Sequence, residues 1–197
     1  MHGGSAGKNI ILGVTGSIAA YKACSILRAL MDRGHAVRVV MTASAQRLVT
    51  PTTFRALSGG PVVTTMFIEE EQVGLQHVEL AEWVGARSEP GSAGGGVLAV
   101  APATANFIGK AANGIADEIL SCSWMACDCP KVLAPAMNDR MWNSDAVQRN
   151  CRYLRELPGV HFVGPVEGKL ASGRIAMGHL APVAEIVETI HRVATGG

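Results

Sequence analysis

The sequence predicts an α/β fold in which helices cover both faces of a single, doubly wound parallel sheet. Short apolar runs of strand length alternate along the chain with segments whose apolar residues recur at helical spacing. The first two apolar runs, residues 8–14 and 37–41, flank a helical segment at residues 18–32. This β-α-β order requires parallel strands. With 197 residues, 48% of them hydrophobic, the chain has the size of one domain with a sizeable core.

Clear signals bound the N-terminal β-α-β unit. The small and polar residues 15–17 end the first strand, and Gly34 ends the helix that follows. The apolar residues of that helix share one face, namely Ile18, Tyr21, Ile26, Leu27 and Leu30. We therefore expect a right-handed crossover that returns the chain to the same sheet.

The next segment is predicted to be mostly helical. Residues 42–46 open one helix, and residues 51–57 form another whose first turn carries the proline. Residues 62–65 are predicted to be a short strand, and residues 77–83 a short helix. Residues 85–96 are rich in Gly, Ser and Pro and lack periodicity, which predicts a mobile surface loop.

The second half of the chain continues the alternation. We predict strands at residues 97–100, 131–134 and 160–163, and helices at residues 107–122, 143–157 and 181–194. The Gly-rich residues 164–180 are predicted to be irregular and to act as a flap over a site. Residues 1–7 lack the apolar core of a signal peptide and are interpreted as a flexible leader. A single Rossmann-like or flavodoxin-like domain of five or six parallel strands then spans residues 8–197.

Composition excludes several classes of function. The formal net charge of +1 gives no electrostatic reason to expect nucleic-acid binding. No apolar run reaches about 18 residues, so no membrane span is expected. The odd number of cysteines, five, and the missing secretion signal favour reduced thiols in the cytoplasm. Cys127 and Cys129 have no second pair or nearby histidine to complete a zinc site and are interpreted as structural.

The segment at residues 101–106 is the first candidate for ligand binding. It directly follows the strand at residues 97–100 and carries only small or polar side chains after its proline. In an open α/β sheet, ligands bind beyond the carboxyl ends of the strands. Main-chain amides, together with Thr104 and Asn106, could therefore contact a planar ligand. The alternative is an ordinary strand-to-helix turn in which Thr104 caps the helix.

Two other strand ends favour a single phosphate group. Gly16 and Ser17 lie between a strand and a helix N-terminus, where unpaired amides attract anions. The spacing fits neither the dinucleotide fingerprint nor the lysine-bearing phosphate loop, which argues against a nucleoside triphosphate. Thr42 and Ser44 follow the next strand and could add hydroxyls to the same anion. The alternative is two helices with ordinary caps.

Further candidates lie elsewhere in the chain. His77 begins a short helix and could exchange protons near neutral pH, although a lone histidine is more often structural. Asn138 follows the strand at residues 131–134 and offers an amide suited to a carboxylate or amide ligand. Met141 is more typical of packing. Lys169 and Arg174 could meet an anion from the flap, unless that segment is a plain surface loop.

Taken together, these motifs resemble a known family. The matching segments occur in order at residues 13–22, 77–81, 101–106, 114–117 and 135–142. This pattern, which covers residues 8–190, is similar to that of the homo-oligomeric, flavin-containing cysteine decarboxylases, and most closely to the members that act in coenzyme A biosynthesis. The combination of the upstream histidine with the Pro-Ala-Met-Asn motif carries more weight than any single glycine loop.

The resemblance implies a reaction, a cofactor and a site. A bound FMN would oxidise the cysteine part of 4′-phosphopantothenoylcysteine, carbon dioxide would leave, and re-reduction of the enethiol(ate) would give 4′-phosphopantetheine. His77 would be the base or proton donor, and Asn138 would bind the substrate carboxylate, with Met141, Lys169 and Arg174 as further substrate contacts. The implied FMN contacts are Gly16, Ser17, Thr42 and Ser44 at the phosphate and Ala103, Thr104, Ala105 and Asn106 at the ring. The family forms trimers, often assembled further into dodecamers, with FMN at subunit contacts.

The sequence departs from the family pattern at a catalytic position. Ser172 stands where many coenzyme A members carry a cysteine that serves as a proton donor. A hydroxyl is a far weaker acid than a thiol, whose pKa is about 8.5. Either another donor serves or the reaction stops at the enethiol. Stopping there would resemble the relatives that decarboxylate a C-terminal cysteine of a peptide. A flavin-dependent reductase or flavin-transfer protein of the same fold is a third alternative.

Two smaller departures concern the loop and the helix. The loop at residues 85–96 is longer than is usual in the family, and Phe107 stands where a threonine is common. The longer loop could contact a neighbouring subunit or a substrate, or it could be inert.

Overall fold

The protein contains a six-stranded sheet in which all strands are parallel, as expected for a doubly wound α/β fold. The structure, a computed structural model, describes residues 7–67, 75–85, 95–169 and 173–196. The strand order is β3-β2-β1-β4-β5-β6. The strands are β1 Asn9–Val14, β2 Ala36–Met41, β3 Val62–Val63, β4 Val97–Ala103, β5 Lys131–Pro135 and β6 Val160–Phe162. No helix among these residues is both long and apolar enough to cross a lipid bilayer.

Helices pack on both faces of the sheet and enclose two separate apolar cores. They are α1 Lys22–Asp32, α2 Ala43–Gln46, α3 Pro51–Ser58, α4 Gln76–Val84, α5 Ala105–Asn113, α6 Ile119–Ala126, α7 Asp139–Trp142, α8 Asp145–Glu156 and α9 Val183–Thr195. One core joins the sheet to α1, α3 and α9, and the other joins it to α4, α5, α6 and α8. Ile10 and Ile11 of β1 are fully buried in opposite cores because neighbouring side chains of a strand point to opposite faces.

The order of the strands reverses between β1 and β4. The chain winds outward from β1 to β2 and β3 on one side, and then from β4 to β5 and β6 on the other. The loops that leave β1 and β4 therefore diverge and leave a crevice between them, which is where open α/β sheets bind ligands. The strand order alone therefore predicts that a ligand binds between the carboxyl ends of β1 and β4.

The structure corrects several predicted boundaries. Strand β4 continues through Ala103, so residues 101–103 belong to a strand and not to a loop. The helix predicted at residues 107–122 is two helices, because α5 ends at Gly114 in the left-handed conformation and α6 begins at Ile119. The predicted helix at residues 18–32 begins with a 3₁₀ turn, Ile18–Tyr21. Most of the predicted mobile loop at residues 85–96, and residues 1–6 of the leader, lie outside the described residues.

Residues 164–180 were predicted to be irregular, but the described residues among them include two paired strands, which we call the β7–β8 hairpin. Residues 170–172 between the two strands lie outside the described residues. Strand β7, Val166–Lys169, pairs antiparallel with β8, Ile175–His179, in a small sheet of its own. The glycines in these strands, which favoured a loop in the sequence, are needed because neighbouring atoms lie too close for a side chain. A Cβ on Gly168 would lie 2.9 Å from Cγ of His179, within the hairpin itself.

Two imidazoles, the buried His35 and the partly buried His191, join α9 to the start of β2. Nδ1 of His35 accepts the main-chain N–H of Lys8 at 3.1 Å, and Nε2 of His35 lies 2.9 Å from Nδ1 of His191. Because Nδ1 of His35 is an acceptor, the neutral ring carries its hydrogen on Nε2 and donates it to His191. Burial, and then the neighbouring His191, lower the pKa of His35 below its usual value. The ring of His35 is therefore held in the neutral form.

We expect this pair to make the fold less stable in mild acid. The unfolded chain binds a proton at His35 more readily than the folded chain, so the free energy of unfolding falls as the pH drops through about 6.5. The urea midpoint of the protein should be lower at pH 5.5 than at pH 7.5. In His35→Asn the difference between the two midpoints should shrink, whereas in the control His161→Asn it should persist. An equal pH dependence in His35→Asn and the parent protein would contradict this account.

Candidate functional site

A cavity of about 560 Å³ opens at the carboxyl ends of β1, β4 and β5. Its walls are the loop after β1, Thr104 at the end of β4, the loop after β5, and the β7–β8 hairpin. The location matches the crevice expected where the strand order reverses. A second groove, about 480 Å³, lies between α5, α6 and α8 and contains none of the predicted site residues.

The hydroxyl of Thr15 joins the two loops on either side of the crevice. It donates a hydrogen bond to the main-chain oxygen of Pro102 at 2.7 Å and accepts one from the main-chain N–H of Thr104 at 3.0 Å. Thr15 is only 1% exposed, and its bond to Pro102 is buried, while its bond from Thr104 is partly buried. Sequence analysis missed this residue, because a threonine after a strand is typical of any turn. Only the adjacency of β1 and β4 reveals its role.

The predicted phosphate loop packs tightly on the end of β2. A Cβ on Gly16 would lie 2.4 Å from Cβ of Ser44, so any larger residue there would force the two loops apart. Ser17 and Thr42 both cap helical turns, with their side-chain oxygens accepting from the N–H of Ala19 and Ala45. Gly16 and Ser17 line the cavity, whereas the buried Thr42 and the exposed Ser44 lie behind them. Ser17 and Thr42 therefore act as helix caps, as the alternative predicted, and their contact with a phosphate stays a prediction.

Of the four residues predicted to contact a planar ring, only Thr104 lines the cavity. Its hydroxyl also caps α5, accepting from the N–H of Phe107 at 3.4 Å. Ala103 is fully buried in β4, and its main-chain oxygen accepts from the N–H of Ala136. Ala105 and Asn106 form the first turn of α5, where Asn106 is exposed outside the cavity of the single chain.

Asn138 presents a donor to the cavity. Its Oδ1 accepts the main-chain N–H of Arg140 at 2.9 Å and so caps α7. Because the oxygen is engaged in this way, the group that Asn138 has available for a ligand is its NH₂, which suits a carboxylate. Met141, one turn later, also lines the cavity and is 48% exposed.

Three basic side chains line the same cavity. Lys22 at the start of α1, Lys169 in β7 and His179 in β8 reach it from different elements. Nζ of Lys22 lies 3.0 Å from Nε2 of His179. No aspartate or glutamate is found among the described residues that line the cavity. The field inside therefore favours an anionic ligand.

The β7–β8 hairpin is held over the cavity by two contacts with the loop after β5. The N–H of Met137 donates to the main-chain oxygen of Gly178 at 3.0 Å, and a Cβ on Gly178 would lie 2.4 Å from the oxygen of Met137. Gly178 also has a φ of 128°, which side-chain-bearing residues rarely adopt. Nη2 of Arg174 pairs with Oδ2 of the buried Asp139 at 3.1 Å. Arg174 thus ties down the hairpin and does not line the cavity.

His77 lies apart from this constellation. It occupies the first turn of α4 and is not among the residues that line the cavity. Its Nδ1 is buried and has no hydrogen-bond partner within the described parts of the chain. A buried, unsatisfied ring nitrogen is costly and calls for a functional explanation. Ser172 lies outside the described residues.

Comparison with known proteins shows a family and several relatives that this chain resembles. Residues 2–195 match the flavoprotein family model. The chain is 41% identical to the coenzyme A biosynthesis bifunctional protein CoaBC of Bacillus subtilis, over 92% of this chain and 42% of that protein. It is 40% identical to CoaBC of Mycolicibacterium smegmatis, over 94% of this chain and 41% of that protein. The chain therefore spans less than half the length of these relatives.

Two solved structures have the same fold over nearly their whole length. A cysteine-to-serine mutant of PPC decarboxylase, complexed with pantothenoylaminoethenethiol, is 28% identical with a TM-score of 0.79, covering 94% of this chain and 97% of that chain. The FMN-dependent cysteine decarboxylase SpaF is 34% identical with a TM-score of 0.75, covering 95% of this chain and 97% of that chain.

We expect Thr15→Val to destabilise the protein by about 1–3 kcal/mol, because the buried oxygen of Pro102 and N–H of Thr104 would lose their shared partner. Urea unfolding measures this loss. Thr15→Ser is the matched control, since it keeps the hydroxyl and should retain most of the stability. Equal stability of Thr15→Val and the parent protein would show that the link between the loops is dispensable.

Proposed function

Because the chain belongs to the flavoprotein family and shares its fold with FMN-dependent cysteine decarboxylases, we propose that it decarboxylates 4′-phosphopantothenoylcysteine to 4′-phosphopantetheine in the cytoplasm, using FMN. The observation that carries this proposal is the convergence of Gly16, Thr104 and Asn138 on one cavity without acidic residues. These three residues come from three separate motifs of the sequence. The CoaBC relatives support coenzyme A biosynthesis as the context.

The cavity fits a flavin in size and in chemistry. Its volume of about 560 Å³ is within the range of small-molecule sites, which are mostly apolar with a few placed polar groups. Ala19, Ala136 and Leu180 supply small apolar walls for a ring, while Gly16 and Ser17 lie at the edge where a phosphate would be held. When bound, the flavin supplies the two-electron oxidation of the substrate cysteine and stores the electrons.

The side chains of the cavity bind and orient the substrate. The NH₂ of Asn138 donates a hydrogen bond to the substrate carboxylate. This contact holds the bond that breaks next to the carbon that bears the oxidised sulfur. Lys22 and Lys169 attract the anionic substrate through the field of the cavity. Departure of carbon dioxide leaves a pair of electrons that is delocalised toward sulfur, which gives an enethiolate.

We place His77 in this reaction through self-association. His77 does not line the cavity of its own chain, and its buried Nδ1 has no partner within the described residues. Exposed apolar side chains flank both regions, with Ile18 and Tyr21 at the cavity and Leu75 beside His77. In a trimer, or a dodecamer built from trimers, the His77 of one copy would complete the cavity of another and act there as base or proton donor.

A peptide ending in cysteine is the alternative substrate. Ser172 in place of the family cysteine favours it, because a reaction without the second reduction ends at the enethiol. The exposed Ile175 and Met177 of β8 offer an apolar surface beside the cavity for such a peptide. Mass spectrometry of the products from both substrates separates the two proposals.

We expect Asn138→Asp to raise KM for the substrate about tenfold or more, because a charged hydrogen bond is replaced by repulsion between two carboxylates. Aspartate keeps the oxygen that caps α7, so the fold should be retained, which thermal unfolding would confirm. Carbon dioxide release at a series of substrate concentrations gives KM and kcat. Unchanged values of both would remove Asn138 from substrate binding.

We expect His77→Asn to retain flavin but to abolish carbon dioxide release. The control is His161→Asn on β6, which should remain active. At substrate concentrations well below the KM of Asn138→Asp, co-assembly of inactive His77→Asn with Asn138→Asp should raise carbon dioxide release above that of Asn138→Asp alone if the two residues act in one site across copies. Full turnover by His77→Asn alone would exclude His77 from the mechanism.

A further inference from the structure

We propose that His179, paired with Lys22, is the catalytic acid that protonates the substrate carbon after carbon dioxide has left. This inference rests on the proposed function and extends it to the reductive half of the reaction. It assigns a role to a side chain that sequence analysis did not single out.

The chemistry requires one acid at a defined carbon. Loss of carbon dioxide leaves a double bond between the carbon that carried the carboxyl group and the carbon that carries sulfur, with a negative charge on sulfur. The electron pair of the carbon–carbon π bond takes up a proton at the first carbon. A lone pair of the negatively charged sulfur then forms the carbon–sulfur double bond. A bound, reduced flavin would supply a hydride for the second carbon, and the carbon–sulfur π pair would return to sulfur as a thiolate. The electrons are those that the flavin took in the first half of the reaction.

The residues that line the cavity offer few acids. Among the described lining residues, the side chains with an ionisable proton are Tyr21, Lys22, Lys169 and His179. Of these, only an imidazole has two ring nitrogens, so that it can give one proton while it takes up another. None of the five cysteines lies among the described residues of the cavity wall. His179 is therefore the group suited to give a proton and regain it in the same step.

The surroundings of His179 fix its ring and its hydrogen. The ring packs against the backbone of β7 at Gly168, where any Cβ would meet Cγ of His179 at 2.9 Å. Nζ of Lys22, at 3.0 Å, donates to Nε2. The neutral ring therefore carries its own hydrogen on Nδ1. As Nδ1 gives that hydrogen to the substrate carbon, Nε2 takes a proton from Lys22, and solvent then returns a proton to Lys22. The pair thus stores a transferable proton at the cavity wall.

The charged groups around the pair are mostly basic. On the elements packed against β8 they are Lys22 of α1, Glu167 and Lys169 of β7, and Asp139 and Arg140 of α7, while Arg174 precedes β8 itself. Asp139 is paired with Arg174. The lysines favour the binding of an anionic substrate beside the pair.

The test is the product ratio in single-turnover reactions of His179→Gln and the matched control His161→Gln. General acid catalysis contributes about 10²–10⁴-fold, so the ratio of saturated thiol to enethiol should fall by about 100-fold in His179→Gln and stay unchanged in His161→Gln. The enethiol is recognised in the mass spectrum as lighter by two hydrogens. An unchanged ratio in His179→Gln, or enethiol alone from the parent protein, would overturn the proposal.

Two further readouts separate an acid from a merely structural histidine. In the flavin-loaded protein, ¹⁵N spectra should show Nε2 of His179 as an acceptor, and Lys22→Met should change that signature while Lys22→Arg keeps it. A hydrogen on Nε2 in the parent protein would overturn the pairing. The absence of carbon dioxide release from the parent protein would instead contradict the proposed function, because that step precedes the one assigned to His179.

Discussion

The arrangement of the cavity depends on the hydroxyl of Thr15. The strand order reverses between β1 and β4, so their outgoing loops diverge, and a crevice necessarily opens between them. Thr15 joins the two loops by donating a buried hydrogen bond to Pro102 and accepting a partly buried one from Thr104. Gly16 and Thr104, the residues next to these bonds in each loop, are thereby fixed relative to each other. A rigid rim of this kind is what binding without costly rearrangement requires.

The β7–β8 hairpin packs on the segment after β5 and forms the second side of the cavity. The close approach of Gly178 to Met137 and the ion pair between Arg174 and Asp139 hold β7 and β8 there. This arrangement brings Lys169 and His179 into the same cavity wall as Lys22, and His179 within 3.0 Å of Lys22. The basic lining therefore comes from elements that are distant in sequence, whereas the amide of Asn138 belongs to a motif whose residues are adjacent in sequence.

Much of the fold follows from local patterns, because a buried parallel strand is a continuous apolar run and a helix is periodic. The β-α-β unit and the strand at residues 131–134 were predicted correctly for this reason. The hairpin was missed because Gly168 and Gly178 occupy strand positions for reasons of close contact that a sequence does not display. Thr15 and the pairing of Lys22 with His179 were missed because both depend on which strands become neighbours. The motifs around Asn138 were found because their residues are adjacent in sequence.

We propose that a flavin binds in the cavity beside Thr15 and that the bound flavin allows a carboxyl group to leave the substrate cysteine. A crystal structure of the flavin-loaded protein tests this most directly. The account predicts isoalloxazine density against Thr104, with the phosphate at Gly16 and Ser17 and with the NH₂ of Asn138 directed at the space above the ring. Flavin density in the groove between α5, α6 and α8, or a purified protein that lacks flavin absorption and does not take up FMN, would contradict it.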